Sequence, residues 1–181
     1  MTGGVWLITG AQASGKSTTA DLLASGFDRG AHVRGGQFYR WAVRGWLHPY
    51  GGDESEARRL LDLRYRLSAM VADEYCAAGF TTVVQDNIYG PDVVRWLDAV
   101  QTRPRHLVVL RPTMDTVRAR ERHRTVTTGK VAYKGGFTIE GNDAAVASTP
   151  DELGLWLDTS ALTPDEVVAV ILARTDEALV D

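Results

Sequence analysis

Three features of this chain predict a three-layer α/β/α fold in which helices cover both faces of a five-stranded parallel sheet. Short apolar runs alternate with longer helical patterns along its length, an order that yields crossover connections rather than hairpins. The composition, 44% hydrophobic and 24% charged, is that of an ordinary α/β domain and excludes disordered, collagen-like and coiled-coil chains. The first run-to-helix junction carries the spacing G-x-x-x-x-G-K-[ST].

Taken in order, residues 5–8 read as a buried first strand and 17–25 as a helix closed by Gly26. A short second strand at 31–33 runs into Arg34-Gly35-Gly36, followed by a helical stretch over 37–46 and a loop at 48–52. Leu60, Leu63, Leu67, Met70 and Val71 recur at three- and four-residue spacing along a long helix stopped by Gly79. The third strand is 81–84, after which Asn87 to Pro91 turns the chain into a short helix. The fourth strand, 106–110, leads to an arginine-rich helix over 114–124. Between Thr125 and Gly141 periodicity fails among four glycines. That reads as a mobile lid, spanning about 118–141 with the end of the preceding helix. Residues 155–157 form the fifth strand, and Thr163-Pro164-Asp165-Glu166 combines an N-cap, a first-turn proline and a capping-box glutamate to start a helix to about 179. With no internal repeat, the 181 residues read as one domain, 1–181, long enough to bury about 70% of the unfolded surface.

The net charge is -3, so bulk electrostatics offer nothing to duplex nucleic acid or to an anionic membrane, and any anion site must be local. All but Lys16, Lys130 and Lys134 of the 20 Lys and Arg residues are arginine, the better fork for phosphate and carboxylate. A lone cysteine, Cys76, allows no internal disulfide and suits a reducing compartment. The first residues carry neither a signal-peptide pattern nor a membrane span, so a cytoplasmic protein is expected. His32, His48, His106 and His123 lack metal-ligand spacing and read as structural or surface residues.

Gly10-Ala11-Gln12-Ala13-Ser14-Gly15-Lys16-Ser17 fits the phosphate loop and lies between a strand and a helix, as that motif demands. Its glycines let backbone amides wrap a polyphosphate, and the next helix offers its positive N-terminal end. Gly10, Ala13, Ser14, Gly15, Lys16, Ser17 and Thr18 are thus candidate ATP ligands. Lys16 is expected to face solvent and to bridge the β- and γ-phosphates, while Ser17 places its hydroxyl on Mg²⁺. Arg120 and Arg124, four apart on one face of the lid helix, are candidates to neutralise the transferring phosphoryl group. The alternative is a solvated arginine face paired with Asp115 and Glu121.

The segment after strand two lies opposite the phosphate loop at the carboxyl edge of the sheet, where open α/β sheets bind ligands. Arg34, Gln37, Phe38, Tyr39, Arg40, Trp41, Trp46 and Tyr50 are therefore candidates for holding an acceptor, with core packing the alternative for the aromatic members. Asp86, after strand three, should emerge near Ser17 and hold a metal-bound water, take the acceptor's proton, or do both. Otherwise it caps the turn through Asn87 and Gly90.

The phosphate loop, the strand ending Val83-Val84-Gln85-Asp86, Arg120-Glu121 with Arg124, and Gly154-Leu155-Trp156-Leu157-Asp158-Thr159-Ser160 together resemble small P-loop kinases. The layout is similar to shikimate and nucleoside-monophosphate kinases and, in particular, to the chloramphenicol phosphotransferase-like family. That resemblance implies phosphorylation of a small-molecule hydroxyl by ATP, a strand order 2-3-1-4-5, adenine near Thr159 and the lid helix, and a link to antibiotic resistance. Members of the group place an aspartate just after the second strand as proton acceptor, whereas this chain has Arg34-Gly35-Gly36-Gln37. Two other readings stand beside a phosphotransferase for an antibiotic, sugar or nucleoside-like acceptor. One is an ATP- and ligand-binding module without transfer, and the other, disfavoured by the net charge, is an end-kinase on nucleic acid. Oligomeric state is left open.

Overall fold

The structure, a computed structural model, describes residues 4–47, 53–133 and 136–181. Five strands, β1 (Val5–Gly10), β2 (Gly30–Arg34), β3 (Thr81–Gln85), β4 (Arg105–Leu110) and β5 (Leu155–Leu157), form an open parallel sheet in the order β2-β3-β1-β4-β5. All six residues of β1, the central strand, are buried, which is why it carries no polar alternation. Its period of two sorts the layers: Val5 and Leu7 join Phe38, Tyr65, Ala69, Ala72 and Trp96 in one core, while Trp6 and Ile8 join Ala20, Leu23, Val167 and Ile171 in the other.

The eight helices among the described residues are α1 (Lys16–Ser25), α2 (Gly36–Trp41), α3 (Glu54–Ala77), α4 (Pro91–Ala99), α5 (Met114–Thr128), α6 (Ile139–Ala147), α7 (Pro164–Ala173) and α8 (Thr175–Ala178). Several differ from the sequence expectation. The helix expected over 37–46 ends at Trp41, because beyond Phe38 the segment finds no core: Trp41 is 69% and Val43 92% exposed. Of the apolar stripe expected on α3, Leu67 and Val71 pack against the core, whereas Leu63 and Met70 are exposed; the buried residues are Ala57, Tyr65, Ser68, Ala69 and Ala72. Small residues let the helix lie close to the sheet. α5 runs four residues past Arg124, and α6 arises where no helix was expected, capped by Thr138 Oγ1, which accepts from the Gly141 amide at 3.0 Å. The last helix breaks at Arg174, after which Leu179 makes an antiparallel bridge to His106 of β4.

The register brings the strand ends together: Gly10 pairs with Leu110, and Ile8 with Gln85. The loop after β1 and the turns after β2 and β3 therefore share one carboxyl edge. Gly10, at φ 137°, has no room for a side chain, since a Cβ there would collide with the carbonyl of Leu110. No helix among the described residues is long and apolar enough to cross a membrane.

Candidate functional site

Ala13 (φ 64°) and Gly15 (φ 101°) give the loop after β1 its left-handed turns, and Gly15 is the N-cap of α1. Lys16 does not face solvent as expected. It is 5% exposed, and Nζ donates to the carbonyls of Gly10 at 2.8 Å and Ala11 at 2.6 Å. Burial, and then the charges of Arg124 and Arg64, push its pKa down to about 7. Ser17 is exposed and donates to Gln85 Oε1 at 3.0 Å.

The loop opens into a cavity of about 630 Å³, lined by Ala13, Gly15, Lys16, Ser17 and Thr18. Seven cationic side chains border it (Lys16, Arg34, Arg40, Arg64, Arg120, Arg124 and Lys130), and among the described residues no carboxylate does. The protein's negative total charge is thus locally reversed. Arg120 reaches from α5 to the carbonyl of Ser14 at 3.1 Å and to Thr159, donating to its Oγ1 at 3.2 Å and its carbonyl at 2.7 Å. Thr159, itself buried, donates to the Ser14 carbonyl at 3.3 Å, so these three residues tie the loop to the end of β5. Arg124 lines the cavity with Glu121 paired behind it, and Glu121 also accepts from the Ala132 amide at 2.6 Å. Arg118 turns away, paired with Asp115 at 2.8 Å and Glu140 at 2.5 Å. Arg120 and Arg124, the arginines expected to face the phosphates, thus border the cavity, and Arg118 does not.

A second cavity of about 630 Å³ adjoins the first, sharing Gln12, Gly36, Arg40, Arg64 and Asn87. Its walls are largely aromatic: Tyr39, Trp46, Tyr65, Tyr89 and Phe137, with Leu61. Tyr39 and Trp46 stack at 5.5 Å. Tyr65, raised to about 12 by burial, donates to the Asn87 carbonyl at 2.9 Å and stays protonated. Asp92 also lines this cavity, but its oxygens are taken by Arg58, at 2.8 Å each, and by Arg95.

Of the residues expected to hold an acceptor, Tyr39, Arg40 and Trp46 line the aromatic cavity, and Arg34, Gln37 and Arg40 the cationic one. Arg34 is anchored at its head by Asp21, at 2.6 Å. Phe38 is a core residue at 8% exposure, packed edge-to-face on Trp41, and neither borders a cavity, because α2 turns that side inward to the sheet and outward to solvent. Tyr50 lies outside the described residues, as does His48.

Asp86 departs most from expectation. Its carboxylate has no exposure: Oδ2 accepts from Arg64 Nε at 2.9 Å, Oδ1 is paired with the same guanidinium, and the Asn87 amide donates to Oδ1 at 2.6 Å. It borders neither cavity, so the geometry that would let it hold a metal-bound water or accept a proton is not the one observed. Gln85, one residue earlier, faces Ser17 instead. Sequence reasoning missed Gln85 and Arg64; strand alternation counted forward from the buried Val84 would have put Gln85 on the opposite face of the sheet. It also missed a strap across the loop: the Gln12 amide donates to Asn142 Oδ1 at 2.7 Å, and the Tyr133 hydroxyl donates to the Gln12 carbonyl at 2.8 Å and to Asn142 Oδ1 at 3.1 Å.

The Ser17 hydroxyl and Gln85 carbonyl are hard oxygen donors at the cavity wall, a donor set that fits Mg²⁺ held chiefly through phosphate oxygens. No cluster of three His, Cys, Asp or Glu side chains that could hold a metal ion occurs among the described residues.

No family model and no curated protein matches the sequence. Solved structures do match the fold. A sugar kinase from Janibacter sp. HTCC2649 superposes with a TM-score of 0.68 at 18% identity, over 97% of this chain and 96% of that one. The APS kinase of Mycobacterium tuberculosis in complex with AMPPNP and APS gives 0.67 at 15% identity, over 97% and 98%. A gluconokinase from Sinorhizobium meliloti 1021 gives 0.60 at 16%, over 94% and 90%. The fold is therefore one that these three kinases share.

Proposed function

We propose that this protein transfers the γ-phosphate of ATP to a hydroxyl of a small molecule. The observation that carries the reading is the pairing of two cavities: a phosphate loop facing, among the described residues, seven cations and no carboxylate, opening directly onto an aromatic cavity. The solved neighbours named as sugar kinase, APS kinase and gluconokinase support it at the level of fold. In the transfer, the acceptor oxygen bonds to the γ-phosphorus as the bond to the β,γ-bridging oxygen breaks. ADP leaves, and the hydroxyl proton passes to water. Such a transition state is loose and needs positioning and charge neutralisation more than a strong base. Lys16, Arg120 and Arg124 supply that charge here. Mg²⁺, when bound, would neutralise the β- and γ-oxygens, and Ser17 with Gln85 would hold it. Thr159 and α5 would border adenine, and the segment over 118–141 would act as the lid.

Among antibiotic, sugar and nucleoside-like acceptors, the stacked Tyr39 and Trp46 and the tyrosine walls favour a compound with a flat, apolar body. The lone Cys76 suits a reducing compartment such as the cytoplasm. A second reading, ATP and ligand binding without transfer, is favoured by one observation: the carboxylates of Asp92, which lines the acceptor cavity, and of Asp86 beside it are already held by arginine. ADP release, measured with Mg²⁺ and ATP over a panel of hydroxylated aromatic, sugar and nucleoside acceptors, separates them. Acceptor-stimulated ADP release with a phosphorylated product is expected. Tight ATP binding without product would establish the second reading.

A further inference from the structure

Resting on the kinase reading above, we propose that Arg64 contacts the γ-phosphate as a catalytic arginine, held in place by the buried carboxylate of Asp86, for which Gly35 leaves the room. Arg64 rises from the middle of α3, away from the phosphate loop in sequence, yet it borders both cavities, so its guanidinium stands where a phosphoryl group must pass between them. Arg40 also borders both, but it is exposed and has no hydrogen-bond or ion-pair partner among the described residues. Arg64 is 11% exposed and fixed from two sides: Asp86 takes Nε and one terminal nitrogen, and the Tyr39 ring lies 4.8 Å from its Cζ.

Two further observations agree. A buried ion pair is by itself weak evidence for stability, because desolvation offsets much of the attraction. This pair also forbids a side chain at position 35, since a Cβ there would collide with Asp86 Oδ2 and Cγ. The constraint makes physical sense if the pair aims a charge. Secondly, Arg124 is built in the same way, with the buried Glu121 at its back and its charge on the cavity. Both arginines lie close enough to Lys16 to oppose its protonation. Lys16 and two arginines whose carboxylate partners lie behind them leave a point where an oxyanion is stabilised without reorganisation.

The test compares the affinities of the full-length chain for AMPPNP and ADP, with Mg²⁺, by calorimetry, alongside ATP turnover and thermal unfolding. Arg64→Gln is expected to keep ADP affinity within about threefold, to cut the AMPPNP preference at least about tenfold, and to slow turnover by about 10²- to 10³-fold. If Asp86 acts through Arg64, Asp86→Asn lowers the same preference, and Arg64→Gln with Asp86→Asn loses no more than Arg64→Gln alone. Should Asp86→Asn not fold, Arg64→Lys carries the test: it keeps the charge without the fork, so the preference falls while ADP affinity stays. An unchanged AMPPNP-to-ADP ratio in folded Arg64→Gln overturns the proposal, and multiplicative losses in the double variant overturn the part played by Asp86. Native protein that binds both nucleotides but transfers nothing refutes the kinase reading alone, because the affinity ratio still reports contact with the γ-phosphate.

Discussion

Lys16 carries the clearest consequences at the scale of one residue. Its folded pKa of about 7 lies below the ordinary 10.5, so between those values the unfolded chain binds more protons than the native one. Stability contributed by this position therefore rises with pH above 7, and below 7 the full cost of a buried charge is present. Lys16→Met is expected to unfold at a higher temperature than the native chain at pH 6, with the gain shrinking toward pH 9.5, as differential scanning calorimetry would show. The same variant should lose ATP-dependent turnover altogether. Binding of a polyphosphate favours the charged lysine, so ATP affinity should fall by up to about tenfold per pH unit above 7, and Lys16→Arg, charged throughout, should flatten that profile in calorimetric titrations.

The helices that border the site do so through one face, and α5 shows how. Arg120 and Arg124 look into the cationic cavity, while Arg118 pairs with Asp115 and Glu140 at the surface. Arg124→Ala should reduce turnover by at least about tenfold with little change in melting temperature. Arg118→Ala should leave kinetics untouched and cost less than about 1 kcal/mol in chemical denaturation. The spacing of four made each pair legible in the sequence. Arg120 and Arg124 were the pair expected to face inward, but spacing alone does not fix the direction of a face, and it is the packing of α5 against the phosphate loop that turns them to the cavity. α3 was misread in part. Its large apolar residues suggested a face that includes Leu63 and Met70, whereas the buried face is built of small residues around Tyr65 and Ser68 with Leu67 and Val71 at its margin, and that placement leaves Arg64 at the cavity. Trp96 of α4 closes this contact, 2% exposed and donating to Ser68 Oγ at 2.9 Å. Trp96→Ala should cost about 3–5 kcal/mol in equilibrium unfolding through the void it leaves.

For the whole molecule, ligand and fold are coupled: α5, the end of β5 and the segment carrying Tyr133 all bond to the phosphate loop. Any ligand that binds the native state alone stabilises by mass action, so ATP with Mg²⁺ at a hundred times its dissociation constant should add about 2.7 kcal/mol. For a chain of this size that raises the melting temperature by about 5–10 °C in thermal-shift measurements, and Lys16→Met should show almost none of it. The alternation of apolar runs with helical patterns determined the parallel sheet and its two helical layers, since period-two and period-3.6 burial are written locally in the chain. The glycine-lysine spacing at the first strand-to-helix turn likewise placed the phosphate loop, because that turn is built from consecutive residues. Only the tertiary structure decided that Asp86 backs Arg64, that Gln85 meets Ser17, and that Tyr133 and Asn142 brace Gln12. Those pairs lie 22 to 130 residues apart. Their meeting depends on how whole elements pack and rotate, which no local pattern encodes.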